Sequence, residues 1–224
     1  MNAQNQQPFY AEREAFRRFK QAVEEDPELK NEIEVVLNDL LGQFATSIYE
    51  NRFIVGGALE VIITAALRAA QVNAIDVGAD EDRLDIRIPQ GGFSVKGHFS
   101  KSGDIRLINV LGKSEQARWN DATLFVLYEV GIVYADPLIL QEKGYANAVR
   151  TTGDAIAVSL KQLRAFYTSN PEWLIACAVP APLQEKHLSK LVSREIAKQI
   201  IAKTQKLKRA LEDVQSKGSD NSSS

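Results

Sequence analysis

The stretch RLDIRIPQGGFSVKGHF, residues 83–99, alternates apolar and polar side chains on both sides of a PQGG turn. In its first half, one face is apolar and the other carries Arg83, Asp85 and Arg87. In its second half, the polar face carries Ser94, Lys96 and His98. A period of two is that of a half-buried β-strand, and PQGG is strong turn sequence. We therefore predict two antiparallel strands joined by a tight turn.

The register of this hairpin decides which polar residues meet. If Gln90 and Gly91 are the two loop residues, Asp85 lies directly opposite Lys96. The two side chains share one face, so we expect them to stay close even if the register shifts. A cross-strand ion pair on a solvated face is the structural alternative, and such pairs contribute little stability.

The rest of the chain alternates helical and extended patterns. A helix starting at Asp26-Pro27 is expected in the N-terminal part, and a buried one from about Gly57 to Ala70, set apart by its glycines. Residues 105–112, IRLINVLG, are expected to continue the sheet. Residues 119–137 are expected to hold one long apolar strand, and 172–180 another, separated by a helical segment from about Gly153 to Tyr167.

These patterns predict a mixed α/β protein, with a central mixed sheet flanked by helices and with helical N- and C-terminal segments. The 224 residues, 45% hydrophobic and 25% charged, suit one globular domain over 1–217. Within it we expect N-terminal helices at 10–50 and a core at 51–182. One long amphipathic helix, or two, is expected at 183–217, followed by a disordered tail at 218–224.

Charge and cysteine content indicate the binding partners and the cellular compartment to expect for the protein. The net charge is −2, but 182–217 holds nine basic and four acidic residues, a net of +5 that leaves −7 for the remainder. Such asymmetry would let one face meet polyphosphate, although a basic helix is often simply solvated. Cys177 is the single cysteine, which excludes an intrachain disulfide. With no basic-then-apolar leader and no membrane-spanning run, we expect a cytoplasmic protein that does not enter a membrane.

Glu60 is the one acid on the predicted buried helix, and with Asp85, Ser94 and Lys96 it would form an acidic pocket beside an amine. Mg²⁺ prefers oxygen ligands and needs only one or two protein carboxylates when substrate phosphate supplies the rest. A lysine there can orient a water and stabilise charge on a phosphate. The alternative for Glu60 is a first-turn acid favoured by the helix dipole. His98 is set aside as a surface or hydrogen-bonding residue, and zinc is improbable with one cysteine.

The order Glu60, Asp85, Ser94-Val95-Lys96 resembles the core of PD-(D/E)XK nucleases and, more narrowly, a type II restriction endonuclease. The family pattern is an aspartate on one strand, then an acid, any residue and a lysine on the next, often with an upstream helical glutamate. Asp85 and Lys96 match this pattern. Leu84 stands where the family has proline, and Ser94 stands where it has an acid. The resemblance extends over 50–137.

This resemblance implies Mg²⁺-dependent hydrolysis of phosphodiester bonds in double-stranded DNA at a short specific site. Asp85, Glu60 and the Val95 carbonyl would be metal ligands, Lys96 would act on the attacking water, and Ser94 would be an outer-sphere hydrogen-bonding group. Because Ser94 supplies no carboxylate, Glu60 or, as an alternative, Glu115 would complete the site. Phosphate contacts are expected from Arg83, Arg87, Lys101, Arg106 and Lys113, with solvated strand edges as the alternative.

Twofold-symmetric DNA sites imply a homodimer for such an enzyme. Two other functions remain open at this point. One is a structure-selective DNA repair or recombination nuclease on the same core, and the other is a non-enzymatic nucleic-acid-binding or scaffold protein. A P-loop is excluded, because GKS at 112–114 lacks the required upstream glycine, with Leu107 in its place.

Overall fold

The computed structural model describes residues 7–44, 49–78, 84–109, 119–152, 155–182 and 193–211. Its helices are α1 (Tyr10–Glu25), α2 (Pro27–Gln43), α3 (Tyr49–Ala69), α4 (Pro137–Glu142), α5 (Leu160–Ser169) and α6 (Ser193–Ile201). Its strands are β1 (Ile75–Asp76), β2 (Ile86–Ile88), β3 (Gly91–His98), β4 (Asp104–Asn109), β5 (Thr123–Leu127), β6 (Gly131–Ala135), β7 (Val149–Thr152), β8 (Ala155–Ser159) and β9 (Leu174–Ala176).

Six strands form a central mixed sheet in the order β1-β2-β3-β5-β6-β9. Only β3 and β5 run parallel in it, and the other neighbours are antiparallel. A second, antiparallel sheet has the order β4-β8-β7. Helices α1 and α3 both pack against β3. The predicted fold class, a mixed α/β protein with a central mixed sheet flanked by helices, is confirmed.

The two central strands β5 and β6 are buried along their whole length. Aromatic rings from three elements meet on β6: the Tyr134 ring centroid lies 5.3 Å from that of Phe16 and 5.2 Å from that of Trp173. Buried aromatic side chains contribute large apolar areas, so this cluster fixes α1 against the sheet. Over the described ranges, no helix is long and apolar enough to cross a membrane.

Helix α3 differs from its predicted form, because it runs unbroken from Tyr49 through Gly56 and Gly57. The expectation that these glycines separate the helix from the preceding segment is wrong. An interior glycine costs an α-helix about 1 kcal/mol relative to alanine. Burial of Val55 and Leu59, which are at most 2% exposed, offsets that cost by packing the flanking turns.

Three strand predictions are also corrected. Residues 105–109 do not continue the central sheet, since β4 pairs with β8 in the second sheet, and residues 110–112 of the predicted strand lie outside the described ranges. The single apolar strand expected at 119–137 is two strands, with a turn in which Glu129 has φ 58° and Gly131 has φ 125°. Glycine is needed at 131, because a Cβ there would lie 2.1 Å from the Ile175 carbonyl oxygen. Within the segment expected to be helical from about Gly153 to Tyr167, residues 155–159 form β8 and α5 begins only at Leu160.

A buried ion pair joins α1 to the start of α4. Arg13 donates from Nε to one oxygen of Asp136 at 2.9 Å and from Nη2 to the other at 3.0 Å. Asp136 is fully buried, caps α4 by accepting from the Ile139 N–H at 2.7 Å, and also accepts from the Tyr134 hydroxyl at 2.8 Å. Burial, together with the carboxylate, raises the pKa of Tyr134 far above its usual range. The buried carboxylate of Asp136 is thus paired with the Arg13 guanidinium and with two further donors, as a buried charge requires.

The C-terminal part forms α6, then a turn, then a second helical segment at 206–211. Glu32 of α2 caps that segment from outside: its carboxylate accepts from the backbone N–H groups of Gln205 at 2.7 Å, Lys206 at 2.9 Å and Leu207 at 2.9 Å. Helix N-termini leave such N–H groups without intrahelical partners. Glu32, only 7% exposed, therefore attaches the end of the chain to α2.

Replacing Glu32 should destabilise the protein. Glu32→Ala leaves three backbone N–H groups without their acceptor, and we expect a loss of about 1–3 kcal/mol in the free energy of unfolding, measured by urea denaturation. Glu25→Ala, which removes an exposed carboxylate of α1, should cost under about 0.5 kcal/mol. Equal losses in the two variants would contradict the capping role.

Candidate active site

The β2–β3 hairpin has a different register from the predicted one. Ile86 pairs with Phe93 and Ile88 with Gly91, so the loop residues are Pro89 and Gln90. The predicted pairing of Asp85 with Lys96 is wrong by two residues. A shift of two keeps every side chain on its original face. The polar face therefore still brings Asp85 together with Ser94 and Lys96.

The register differs because Gly91 and Gly92 lie in β3, where close contacts require glycine, and not in the turn. A Cβ at Gly91 would lie 2.1 Å from Oε1 of Glu12, and one at Gly92 would lie 2.5 Å from the Ile86 carbonyl oxygen. Oε1 of Glu12 accepts from the Gly92 N–H at 3.2 Å. Glu12 comes from α1, so the hairpin is held by a residue distant in sequence. Burial raises the pKa of Glu12 above its usual value.

Asp85 is the centre of the site. Its Oδ2 accepts from the Val95 N–H at 2.6 Å and from the Ser94 hydroxyl at 3.0 Å, and it lies 3.5 Å from Nζ of Lys96. Among the described residues, none donates to Oδ1 of Asp85. The side chains of Asp85 and Lys96 are 24% and 29% exposed. One carboxylate oxygen is thus fixed by three donors, and the other can take a further ligand.

The Val95 carbonyl lies on the same edge of β3 as Asp85. The Ser94 N–H donates to the Ala122 carbonyl oxygen, toward β5, at 2.9 Å. Neighbouring residues of a strand direct their backbone groups to opposite edges, so those of Val95 point away from β5. The Val95 N–H confirms that direction by donating to Asp85. Its carbonyl is therefore directed to the edge where β2 ends.

Glu60 lies in the middle of α3, not on a first turn. Because α3 begins at Tyr49, the helix-dipole explanation of Glu60 is wrong, as that effect is confined to the terminal turns. Glu60 is half-buried. Leu59 beside it packs on β3, since a Cβ at Gly97 would lie 2.9 Å from Leu59 Cδ1. The turn of α3 that bears Glu60 therefore faces the strand that bears Lys96.

The available ligands are oxygens. Among the described residues there is no group of three or more His, Cys, Asp or Glu that could hold a metal ion. A zinc centre built from several nitrogen or sulfur ligands does not fit this part of the chain. One or two carboxylates with a carbonyl do suit Mg²⁺, which keeps several waters and takes the remaining ligands from substrate phosphate. Asp85 Oδ1 and the Val95 carbonyl are the oxygens that fit that role.

A cleft of about 780 Å³ opens beside Lys96, between α3 and strands β3 and β4. Three basic residues line it: Arg52, Lys96 and Arg106. Asp104, the acid in its lining, is held by Arg150, whose Nε and Nη2 lie 3.0 Å and 2.6 Å from its oxygens. The lining of the cleft therefore holds three basic side chains and one acid. Sequence reasoning missed Arg52, because it did not extend α3 back to Tyr49.

The residues expected to contact phosphate are spread over the surface. Arg106 lines the cleft, and Arg87 is exposed on β2. Lys101, also exposed, lies 3.4 Å from Glu129 and 5.6 Å from the centroid of the Tyr128 ring. Arg106 therefore shares the cleft with Lys96, and Lys101 lies beside Glu129 and Tyr128. Three other predicted residues lie outside the described ranges: Arg83, Lys113 and Glu115.

His98, predicted from the sequence to be a surface or hydrogen-bonding residue, lines the cleft two residues after Lys96. Its Nε2 lies 3.1 Å from the Ser102 carbonyl oxygen and 2.8 Å from the Ser100 hydroxyl. Burial lowers the pKa of His98 below its usual value, against smaller opposing effects of the Ser102 carbonyl and Asp104. A lowered pKa favours the neutral form of this imidazole.

The lowered pKa of His98 predicts a loss of stability on acidification. Below about pH 6.5 the unfolded histidine takes up a proton before the folded one does, so unfolding is favoured as the pH falls toward the folded pKa. His98→Gln should remove that contribution and reduce the fall in unfolding free energy between pH 7.5 and pH 5.5, measured by urea denaturation. An equal fall in parent and variant would contradict the burial of this imidazole.

Comparison with known proteins gives one relevant similarity. No family model and no curated protein matches the chain. A solved structure described as a restriction endonuclease in complex with substrate DNA is similar over 78% of this chain and 95% of that chain, at 14% sequence identity and a TM-score of 0.48. A similarity at this level is too weak to support a function.

Proposed function

We propose that this protein is a Mg²⁺-dependent endonuclease that hydrolyses phosphodiester bonds in double-stranded DNA at a short specific site, as a type II restriction endonuclease does. The observation that supports the proposal most is the 3.5 Å approach of Lys96 Nζ to Asp85 Oδ2 at the end of the basic cleft. At this position the carboxylate can bind a metal ion while the amine orients a water molecule. The resemblance of the Asp85 and Lys96 spacing to PD-(D/E)XK nucleases points to the same chemistry.

The proposed metal ligands are Asp85 through Oδ1, Glu60 and the Val95 carbonyl, with Glu115 as the alternative carboxylate. When bound, Mg²⁺ would act as a Lewis acid that stabilises negative charge on the phosphate. Lys96 would orient the attacking water and stabilise the same charge. The Lys96 side chain is 29% exposed, so water can reach it.

Ser94 takes an outer-sphere role in this proposal. Its hydroxyl donates to Asp85 Oδ2 at 3.0 Å and so orients the carboxylate from behind. A carboxylate at position 94 would instead face Asp85 at a position only 8% exposed, where two negative charges repel unless a cation lies between them. A hydroxyl gives the apo site a donor in place of that repulsion, and Glu60 supplies the second carboxylate from α3.

DNA would be held by basic residues around the site. Arg106 lines the cleft that ends at Lys96, and Arg87 is exposed on the strand that follows Asp85. Arg83, Lys101 and Lys113 are proposed as further phosphate contacts. Such contacts fix the register of a protein on DNA without reading its sequence.

Removing Lys96 or Asp85 should abolish cleavage. We expect the parent to cut a long mixed-sequence duplex into discrete fragments with Mg²⁺, and Lys96→Ala and Asp85→Ala to lose at least about 100-fold in rate, since each removes a group that acts in the transition state. Lys143→Ala, at an exposed lysine of another surface, is the control and should cut normally.

The outcomes separate three functions. A Lys96→Ala variant that cuts like the parent would exclude this site. Smeared products or a preference for branched substrates would indicate a repair nuclease instead, and binding without cutting would indicate a nucleic-acid-binding module. Calorimetric titration with Ca²⁺, which should lose its signal in Asp85→Ala and weaken in Glu60→Gln, tests the metal site independently of activity.

We also propose a homodimer acting in the cytoplasm, because a twofold-symmetric DNA site is matched by a twofold-symmetric enzyme. Sedimentation velocity of the purified protein should give the mass of two chains of 24.8 kDa. A monomer that remains monomeric on a duplex carrying its own cleavage site would contradict this assembly.

A further inference from the structure

Gly56 occupies an unusual place in α3. It lies inside the helix Tyr49–Ala69, where glycine costs about 0.5–1 kcal/mol relative to alanine. Its φ lies outside the left-handed region, and a Cβ built on it would meet no atom of the described residues within 4 Å. Neither backbone conformation nor crowding within the described chain therefore requires glycine here. Gly56 lines the cleft beside Lys96, so its missing side chain leaves helix backbone exposed to that space.

At three other positions, close packing leaves no room for a Cβ atom and therefore requires glycine. A Cβ would lie 2.5 Å from the Ile86 carbonyl oxygen at Gly92, 2.8 Å from the Phe99 ring at Gly97, and 2.1 Å from the Ile175 carbonyl oxygen at Gly131. Gly42 is also open, but it lies next to the last residue of α2, near a helix end where glycine is common. An interior glycine facing an open cleft is typical of a place where a ligand approaches the backbone closely.

The charges around Gly56 indicate an anionic ligand. Arg52 lies one turn before it on α3, and Arg106 of β4 and Lys96 of β3 line the same cleft. The acid in the lining, Asp104, is held by Arg150, so the lining carries more basic than acidic side chains. A phosphodiester strand presents negative charges at regular intervals along a narrow backbone. That shape and charge match a cleft lined by two arginines and by the open helix backbone at Gly56.

We propose that one strand of the DNA substrate lies in this cleft, with its backbone against α3 at Gly56 and its phosphates contacted by Arg52 and Arg106. The four-residue spacing of Arg52, Gly56 and Glu60 puts all three toward one side of the helix. The strand would thus pass from Arg52, over Gly56, to the turn that bears Glu60 and to Lys96. This path rests on the proposed nuclease function and assigns Arg52 and Gly56 to substrate positioning, a role the sequence did not predict.

Filling the space at Gly56 tests this path. Gly56→Ala and Gly56→Leu are compared with Gly42→Ala and Gly42→Leu, a matched pair of open helical positions of which only the first lines the cleft. Binding to a fluorescent duplex is measured with Ca²⁺ in place of Mg²⁺, and folding by thermal denaturation. We expect Gly56→Leu to weaken binding about tenfold or more and Gly56→Ala to weaken it less, without lowering the thermal midpoint. Both Gly42 variants should bind like the parent.

Arg52→Gln gives a second readout. Removing one phosphate contact should reduce the slope of the logarithm of the binding constant against the logarithm of salt concentration by about one. Arg18→Gln, at an exposed arginine of α1, should leave that slope unchanged.

The outcomes keep the path and the function apart. Normal binding by Gly56→Leu would overturn the path, as would a lower thermal midpoint for Gly56→Ala, because packing would then explain the glycine. Cleavage by Lys96→Ala at the parent rate would overturn the proposed function even if the Gly56 variants bind weakly. A parent protein that binds no duplex would overturn both.

Discussion

Where the backbone hydrogen bonds between β2 and β3 end, the carboxylate of Asp85 accepts the next backbone N–H of β3. Its Oδ2 accepts hydrogen bonds from the Val95 N–H at 2.6 Å and from the Ser94 hydroxyl. The Val95 N–H lies beyond the end of β2 and has no partner in that strand. The same Oδ2 lies 3.5 Å from the amine of Lys96. Sheet termination and site assembly thus depend on one atom. Without this carboxylate, the edge of β3 would lose the acceptor of its N–H and Lys96 would lose its charged neighbour, which explains why the site is found at the end of a hairpin.

The fold could be predicted where a pattern is local. Period-two alternation placed Asp85, Ser94 and Lys96 on one face, and a register error of two residues does not disturb that placement. The register itself depends on Glu12, which reaches Gly92 from α1 and has no local signature beside the turn. Residues 123–135 read as one strand because strands buried on both faces do not alternate. The turn at Glu129 that divides them is a backbone feature with little compositional signal.

The grouping of Asp85, Ser94 and Lys96 was predictable from the sequence, and the contribution of α3 to the candidate site was less so. Asp85 and Lys96 follow from the hairpin, and Ser94 as a hydrogen-bonding partner of the carboxylate follows with them. The role of α3 was obscured by Gly56 and Gly57, which suggest a break although the helix passes through them. A helix starting at Tyr49 adds Arg52 to the cleft and moves Glu60 away from the terminal turns. Glycine weakens a helix only modestly, so buried flanking turns can outweigh it, and that packing is invisible in a single sequence.

The cap that Glu32 provides has a consequence for the order in which the molecule assembles. Three N–H groups near the C-terminal end of the described chain depend on a carboxylate from α2, more than 170 residues earlier. A contact between such distant positions carries a large loop-closure cost and forms only once the intervening chain has become compact. Synthesis from the N-terminus makes α2 first, so the Glu32 carboxylate is in place before residues 205–207 are made. The segment at 205–207 therefore docks onto a helix that was synthesised much earlier.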